Sequence, residues 1–170
     1  MDSSFDRLNF LFSYSFSEVT TCFSLHLTSL IMALGYRESF RLYFILDSDL
    51  AEFRKEQRGC SAISFSEGGN LLAVGVTGIS SGICVYSTLG LQLLSFLPFV
   101  KEVMQIDWDN ELLCVNCGNK FYLCHYTSET KILSFSKRDS SAITNIFWIK
   151  KGKYMVVARN DCSLQVLKYG

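Results

Sequence analysis

Proline, histidine and net charge are what this sequence has least of. Among 170 residues there is one proline, Pro98, and there are two histidines. A single proline excludes a proline-rich linker. The 16 Lys and Arg residues are balanced by 16 Asp and Glu, and zero net charge argues against a general nucleic-acid surface, which needs a basic excess. A protein partner therefore fits this chain better than a nucleic acid.

The sequence also lacks the marks of secretion. Its first residues, MDSSFDR, have no positively charged segment of the kind that opens a signal peptide. The cysteines are seven, an odd number, and lie mostly within apolar runs, which favours reduced thiols over a disulfide framework. They are Cys22, Cys60, Cys84, Cys114, Cys117, Cys124 and Cys162. We therefore expect a cytoplasmic protein.

Apolar residues are plentiful, but residues 1–39 differ from the rest. Hydrophobic residues make up 49% of the chain, enough for a packed core. Asn9 to Phe16 alternates aromatic residues with serine and indicates a strand. Val19 to Tyr36 carries no charge and approaches the length of a membrane span, but Ser, Thr and His dilute it, so no span is predicted. We interpret 1–39 as an N-terminal extension, either a partly buried helix or a poorly ordered segment.

From Phe40 onward, short apolar or alternating runs separated by turn residues predict β-strands. Turns are predicted at Glu67–Asn70, at Gly118-Asn119 and at the lysine-rich tip Lys150–Lys153, and Asp49–Gly59 is read as a charged, exposed connection. The predicted strands are Phe40–Asp47, Ser61–Phe65, Leu71–Val76, Ile83–Ser87, Leu91–Phe96, Val103–Trp108, Leu112–Asn116, Phe121–Tyr126, Thr130–Phe135, Ile143–Ile149, Tyr154–Arg159 and Leu164–Tyr169.

These strands repeat. Phe65, Trp108 and Trp148 end equivalent strands 43 and 40 residues apart, and three tyrosines near the ends of later strands are spaced by 40 and 43: Tyr86, Tyr126 and Tyr169. Four strands in roughly 40–45 residues is the period of a β-propeller blade. An ordinary sandwich with chance spacing is the alternative.

The sequence thus predicts an all-β fold, a partial WD-type β-propeller with an N-terminal extension. About three four-stranded blades are expected, at 40–87, 89–127 and 130–169, each with an outer strand followed by an inner strand and two more outward. Because propellers close with about four to eight blades, we expect completion by missing sequence or by another chain.

One CxxC motif, Cys114-Val115-Asn116-Cys117, is followed by Cys124 and His125. A tetrahedral metal site needs four converging ligands. A two-residue turn at Gly118-Asn119 would place Cys114 opposite Leu123, with Cys114 and Cys117 on opposite faces of the hairpin and Cys124 on the face of Cys117. We therefore predict no metal or redox site and read the thiols as small buried hydrophobes.

Titratable residues are sparse where catalysis would need them. His26 and His125 are read as structural histidines. Asp107 is the one titratable group on the predicted inner strands, where it either hydrogen-bonds within its blade or is solvated. Gly68-Gly69 and Gly75–Gly78 precede no helix and therefore form no phosphate loop. We predict no catalytic, cofactor-binding or metal residue, no cofactor, and hence no enzyme.

Several segments, taken in order, carry a resemblance to a known family: ISFSEGGNLLAVGVTG, GICVYSTLGLQLLSFLP, VMQIDWDNELLCV, FYLCHY, ITNIFWIKKGKYMVVA and LQVLKY. From Phe40 to Tyr169 the chain resembles the N-terminal WD-repeat propeller of the large subunits of intraflagellar transport complex A. The resemblance implies a non-catalytic scaffold for retrograde ciliary transport. Its partners would be other subunits of the complex, and it would lie in the cytoplasm, the cilium or the basal body.

A second family shares part of this pattern. The stretch from GICVYS through ELLCV is also similar to the N-terminal propeller of the class C vacuolar sorting subunit sixteen, a vesicle-tethering scaffold. A generic WD-repeat adaptor is the remaining alternative. All three are protein-interaction scaffolds, and the sequence selects no individual protein-binding residue.

Overall fold

All regular structure in the described part of the chain is β-strand. The computed structural model describes residues 13–78, 81–99, 101–109, 111–126, 131–133, 141–149 and 153–168. Within these ranges no helix is long and apolar enough to cross a membrane. The strands are β1 (Thr20–His26), β2 (Ile31–Tyr36), β3 (Phe40–Ile45), β4 (Leu50–Glu56), β5 (Cys60–Phe65), β6 (Leu71–Val76), β7 (Gly82–Ser87), β8 (Leu93–Pro98), β9 (Gln105–Asp109), β10 (Leu112–Asn116), β11 (Phe121–His125), β12 (Lys131–Leu133), β13 (Ile143–Ile149), β14 (Tyr154–Arg159) and β15 (Leu164–Lys168).

The strands form antiparallel sheets in strict chain order. Sheet 1 is β1-β2-β3-β4, sheet 2 is β5-β6-β7-β8, sheet 3 is β9-β10-β11-β12, and sheet 4 has the described strands β13-β14-β15. Each strand pairs with the next along the chain, so every sheet is a meander. The predicted all-β fold is confirmed.

The second strands of sheets 2 and 3 have both faces covered, which explains their sequences. Leu72 to Val76 of β6 and all five residues of β10 are buried. A strand covered on both faces reads as a continuous apolar run, whereas a strand with one free face alternates. Strand β15 does alternate, with Leu164 and Val166 exposed between half-buried residues.

The sheets stack face to face in the order 1, 2, 3, 4. Three clusters of buried side chains join neighbours, for example Leu42 with Val74 between sheets 1 and 2, and Val85 with Val115 between sheets 2 and 3. The first strands β1, β5, β9 and β13 contact one another in that order. The innermost strands of sheets 2, 3 and 4 are therefore those predicted at Ser61–Phe65, Val103–Trp108 and Ile143–Trp148. The predicted order of strands, an outer strand before the inner one, is wrong, because β8 and β12 are the last strands of the preceding sheets.

Two predicted turns depend on glycine. Gly118 has φ +85°, and the N–H of Cys117 donates to the carbonyl of Lys120 at 2.9 Å across the two-residue turn. Gly69 has φ +69°, and a Cβ there would collide with the ring of His26. Both the positive φ and the close ring restrict position 69 to glycine.

The interpretation of residues 1–39 as a helix or a poorly ordered extension is wrong for β1 and β2, which are strands of sheet 1. In β1, Cys22, Ser24 and His26 are half-buried, whereas Phe23 and Leu25 are exposed. Because polar residues occupy the covered face, the alternation does not stand out in the sequence. The predicted strand at Asn9–Phe16 is not seen in residues 13–16, and residues 9–12 lie outside the described residues.

The grouping of strands also differs from the prediction. Leu50–Glu56 is a strand, β4, and not only a charged connection, because an outer strand with one solvated face tolerates charge. The described strands form four sheets instead of about three, and the boundary predicted after residue 39 falls between β2 and β3 of sheet 1. A repeat period fixes the spacing of strands but not the strand at which a sheet begins. The predicted tip residues 150–152 and Tyr169 lie outside the described residues.

Leu113→Ala tests the core between sheets 2 and 3. Leu113 is fully buried in that core, and removing a buried leucine side chain costs about 2–5 kcal/mol. We expect that loss in the free energy of unfolding, measured by urea denaturation followed by fluorescence. The control is Leu89→Ala, at a turn residue 65% exposed, which should shift stability by less than about 0.5 kcal/mol. Equal effects of the two substitutions would contradict the packing.

Candidate protein-interaction surface

The CxxC cysteines diverge, as predicted. Cys114 pairs with Leu123 and packs toward sheet 4, where its Sγ lies 2.9 Å from Met155 Sδ. Cys117 and Cys124 pack toward sheet 2. Burial raises the pKa of Cys117 to about 11 and that of Cys124 to about 12. These thiols are therefore protonated at neutral pH, and across the described ranges no three His, Cys, Asp or Glu residues gather to hold a metal ion.

A second cysteine pair was missed by the sequence analysis. Cys22 on β1 and Cys60 on β5 have their Sγ atoms 3.2 Å apart, across the boundary between sheets 1 and 2. The hydrogen bond between the thiols lowers the pKa of Cys22, against the opposing effect of burial, whereas the pKa of Cys60 is raised. The available signal was their separation of 38 residues, close to the repeat period.

Both histidines have structural partners. The Nδ1 atom of His26 accepts a hydrogen bond from Ser29 N–H at 3.3 Å, so Nε2 carries the proton and donates to the carbonyl of Glu67 at 2.9 Å. His26 therefore ties sheet 1 to the turn of sheet 2. His125 Nε2 lies 3.2 Å from Glu111 Oε2 within sheet 3.

Asp107 hydrogen-bonds to the next sheet, whereas the sequence predicted a partner within its own blade or a solvated carboxylate. Its Oδ2 accepts the N–H of Trp148 at 2.6 Å, 41 residues along the chain. Ser24 Oγ accepts the N–H of Phe65 at 3.3 Å in the equivalent place, also 41 residues away. Burial raises the pKa of Asp107, and the hydrogen bond from Trp148 opposes this shift. The carboxylate is thus a link between sheets and not a solvated acid.

A groove on sheet 2 reaches from the end of β6 to the outer strand β8. Its volume is about 400 Å³, and it is lined by Arg58, Val76, Thr77, Leu93 and Phe96. Leu93 and Phe96 of β8 are 47% and 41% exposed. Strand β8 is the last of its sheet and pairs only with β7 among the described strands, so its other edge presents backbone polar groups. Nothing in the sequence indicated which side chains of β8 would face outward.

A smaller polar pocket of about 240 Å³ lies where residues 14–18 cross sheet 1. Glu18 forms an ion pair with Arg41, and Tyr43 OH donates to Glu52 at 3.3 Å. Burial raises the pKa of Tyr43. Phe16 packs edge-on against Tyr43 with ring centroids 5.7 Å apart. The pocket's polar groups are thus largely engaged with one another.

Comparison with known proteins identifies the fold. No protein-family model and no curated protein matches the chain. The β-propeller domain of Cps50 (Swd1) from Myceliophteria thermophila matches with a TM-score of 0.72 at 13% identity, over 91% of this chain and 53% of that chain. A chain of the mitotic checkpoint complex matches with a TM-score of 0.72 at 13% identity, over 88% of this chain and 48% of that chain.

A third solved structure is similar over its whole length. The computationally designed Ika4 protein matches with a TM-score of 0.73 at 14% identity, over 95% of this chain and 99% of that chain. The chain therefore has the fold of a β-propeller and spans about half the length of the Cps50 and checkpoint-complex chains that it matches.

Asp107→Asn and Asp107→Ala test the link between sheets 3 and 4. Alanine removes the acceptor for Trp148 N–H, at a cost of about 1–3 kcal/mol, whereas asparagine keeps an acceptor without a buried charge.

Burial raises the folded-state pKa of Asp107, so the wild type should lose stability as pH rises through that pKa. Urea denaturation from about pH 4 to 7 should show a smaller loss for Asp107→Asn. A steeper loss in the asparagine variant would contradict this account.

A mild oxidant tests the cysteine pair. Diamide should join Cys22 Sγ to Cys60 Sγ, because the thiols already lie 3.2 Å apart. The two thiols give up two protons and two electrons, which reduce the N=N bond of diamide to a hydrazine. Mass spectrometry of the unreduced digest should show peptides of sheets 1 and 2 joined. Cys22→Ser should abolish the product, whereas Cys162→Ser, at an exposed site, should not; a disulfide that requires Cys162 would refute the pairing.

Proposed function

We propose that this chain is a non-catalytic scaffold that binds a protein segment in the groove beside β8. Two observations carry the proposal: Leu93 and Phe96 of β8 line the groove with exposed apolar side chains, and β8 has an unpaired edge among the described strands. An extended segment adds to such an edge through main-chain hydrogen bonds, while side-chain pockets supply specificity. The non-catalytic part of the proposal is supported by Asp107 and His26, two titratable residues noted in the sequence, because both already form hydrogen bonds between sheets.

The groove favours a segment with apolar side chains and a carboxylate. Leu93 and Phe96 offer apolar contact, and the exposed Arg58 lies at the same groove. Arg58 also contacts Cys84 Sγ at 3.0 Å, which orients its guanidinium beside the sheet. An acidic side chain of the bound segment would gain a charge-assisted hydrogen bond there.

The finer proposal is that the scaffold serves intraflagellar transport complex A, in the cytoplasm and at the cilium or basal body. Its support is the resemblance of Phe40–Tyr169 to the propellers of that complex. In ciliated cells the tagged chain should co-purify with complex A subunits and collect at the ciliary base. Recovery of class C vacuolar sorting subunits in their place would select vesicle tethering, and recovery of neither would reject both assignments.

Peptide binding tests the groove directly. Peptides selected from a displayed library against the purified chain should combine apolar residues with Asp or Glu. Phe96→Asp should weaken their binding at least about tenfold, equivalent to about 1.4 kcal/mol, as measured by fluorescence polarisation. Arg58→Glu should weaken acidic peptides selectively. Leu89→Asp, at an exposed turn residue outside the groove, is the matched control; equal binding by the Phe96→Asp and Leu89→Asp proteins would refute the site.

A further inference from the structure

Sheet 1 has an apolar face that no other sheet covers. Phe23 and Leu25 of β1 pair with Leu34 and Met32 of β2 and are 68% and 45% exposed. The equivalent positions in the later sheets are buried against the preceding sheet. They are Ile63 and Phe65 at 5% each, Ile106 and Trp108 at 6% each, and Ile146 at 0%. We define Phe23, Leu25 and Met32 as the leading face; Leu34 beside them is 5% exposed and belongs to a cluster with Tyr43 against which Phe16 packs.

Sheet 4 has the complementary open face. Phe147, Val156 and Val166 lie side by side across β13, β14 and β15. Phe147 and Val166 are 42% and 57% exposed, and Val156 between them is 6% exposed. At the equivalent positions the earlier sheets bury Leu42 and Val85 against the next sheet, at 0% each. We define Phe147, Ile149, Val156, Leu164 and Val166 as the trailing face.

Residues 13–18 leave room for a sheet against the leading face. Phe16 packs on Tyr43 in the third strand of sheet 1, with ring centroids 5.7 Å apart. Phe99, in the connection that enters sheet 3, packs on Tyr122 in the third strand of that sheet at 5.1 Å. Sheet 2 nevertheless lies against sheet 3 on that same side. The segment around Phe16 therefore covers the part of the face near Leu34 and Tyr43 and leaves Phe23 and Leu25 exposed.

We propose that two copies of this chain close one ring, in which the trailing face of each copy packs on the leading face of the other. Packing of a trailing face on a leading face already occurs between sheets 1 and 2, 2 and 3, and 3 and 4. Each copy carries one unpaired face of each kind among its described sheets, so the same contact continues across the join and is made twice around a two-fold axis.

The blade count selects a second copy and no more. Propellers have about four to eight blades, and two copies of the four described sheets reach the upper end of that range, whereas a third copy would exceed it. The chain aligns with 53% and 48% of the propeller chains compared above, so two copies together match the extent of about one such chain.

Sedimentation equilibrium of the purified 170-residue chain tests the ring. We expect a single species at twice 19.3 kDa at micromolar concentration. Phe23→Lys on the leading face and Val166→Lys on the trailing face should each give monomer, with an unchanged β-type circular dichroism spectrum. Leu25→Lys and Leu164→Lys serve if either first variant fails to fold. Leu89→Lys, at an exposed residue on neither face, should remain dimeric. A monomeric wild type would overturn the proposal.

Mixing the two monomeric variants distinguishes this ring from other dimers. The Phe23→Lys chain keeps its trailing face, and the Val166→Lys chain keeps its leading face, so the mixture should form a heterodimer with one intact join, detectable by native mass spectrometry. A dimer made of two leading faces would instead survive Val166→Lys alone, and a dimer made of two trailing faces would survive Phe23→Lys alone. Either result would refute head-to-tail closure, and neither depends on the groove beside β8.

Discussion

The stability of every sheet depends on the packing of its apolar faces against the neighbouring sheets. A meander of three or four strands cannot bury both of its faces by itself, and it becomes stable only in a stack. Contacts between residues about one period apart hold this stack together. Thr21 Oγ1 donates to the carbonyl of Cys60 39 residues away, and Asp107 bridges to Trp148 41 residues away. The period of the sequence repeat thus matches the sequence separation of residues that are in contact between neighbouring sheets.

Several polar side chains between the sheets form hydrogen bonds to backbone groups of the next sheet. Gln105 donates to the carbonyl of Ile146 at 2.7 Å and accepts from its N–H at 2.9 Å. One side-chain amide therefore satisfies both backbone groups of Ile146, in the first strand of sheet 4. Ser24 and Asp107 occupy equivalent positions with different chemistry. The serine adds no charge, whereas the carboxylate is desolvated by its burial. The Asp107 link between sheets 3 and 4 therefore depends on pH in a way that the equivalent Ser24 link does not.

The parts of the fold that could be predicted are those in which burial determines the pattern of apolar residues in the sequence. The bounds of β6, β10, β13 and β14 were predicted to the residue, because buried second strands are continuous apolar runs and the strands around them end at turn residues. Strand β1 was missed because its covered face carries Cys22, Ser24 and His26. The Cys22–Cys60 pair and the groove beside β8 depend on which faces meet in three dimensions, and the spacing of strands alone does not specify this.

The two end sheets differ from the middle sheets in a way that bears on dynamics. Sheets 2 and 3 are covered on both faces, whereas sheets 1 and 4 each have one covered face and expose Phe23 and Val166 on the other. In a stacked array, a unit with one neighbour gains about half the interface energy of a unit with two. Local opening should therefore begin at the ends and leave the core around Leu113 and Val85 intact longest. The faces that such opening would expose are the same apolar faces that a neighbouring sheet would cover, so covering the ends stabilises the whole stack.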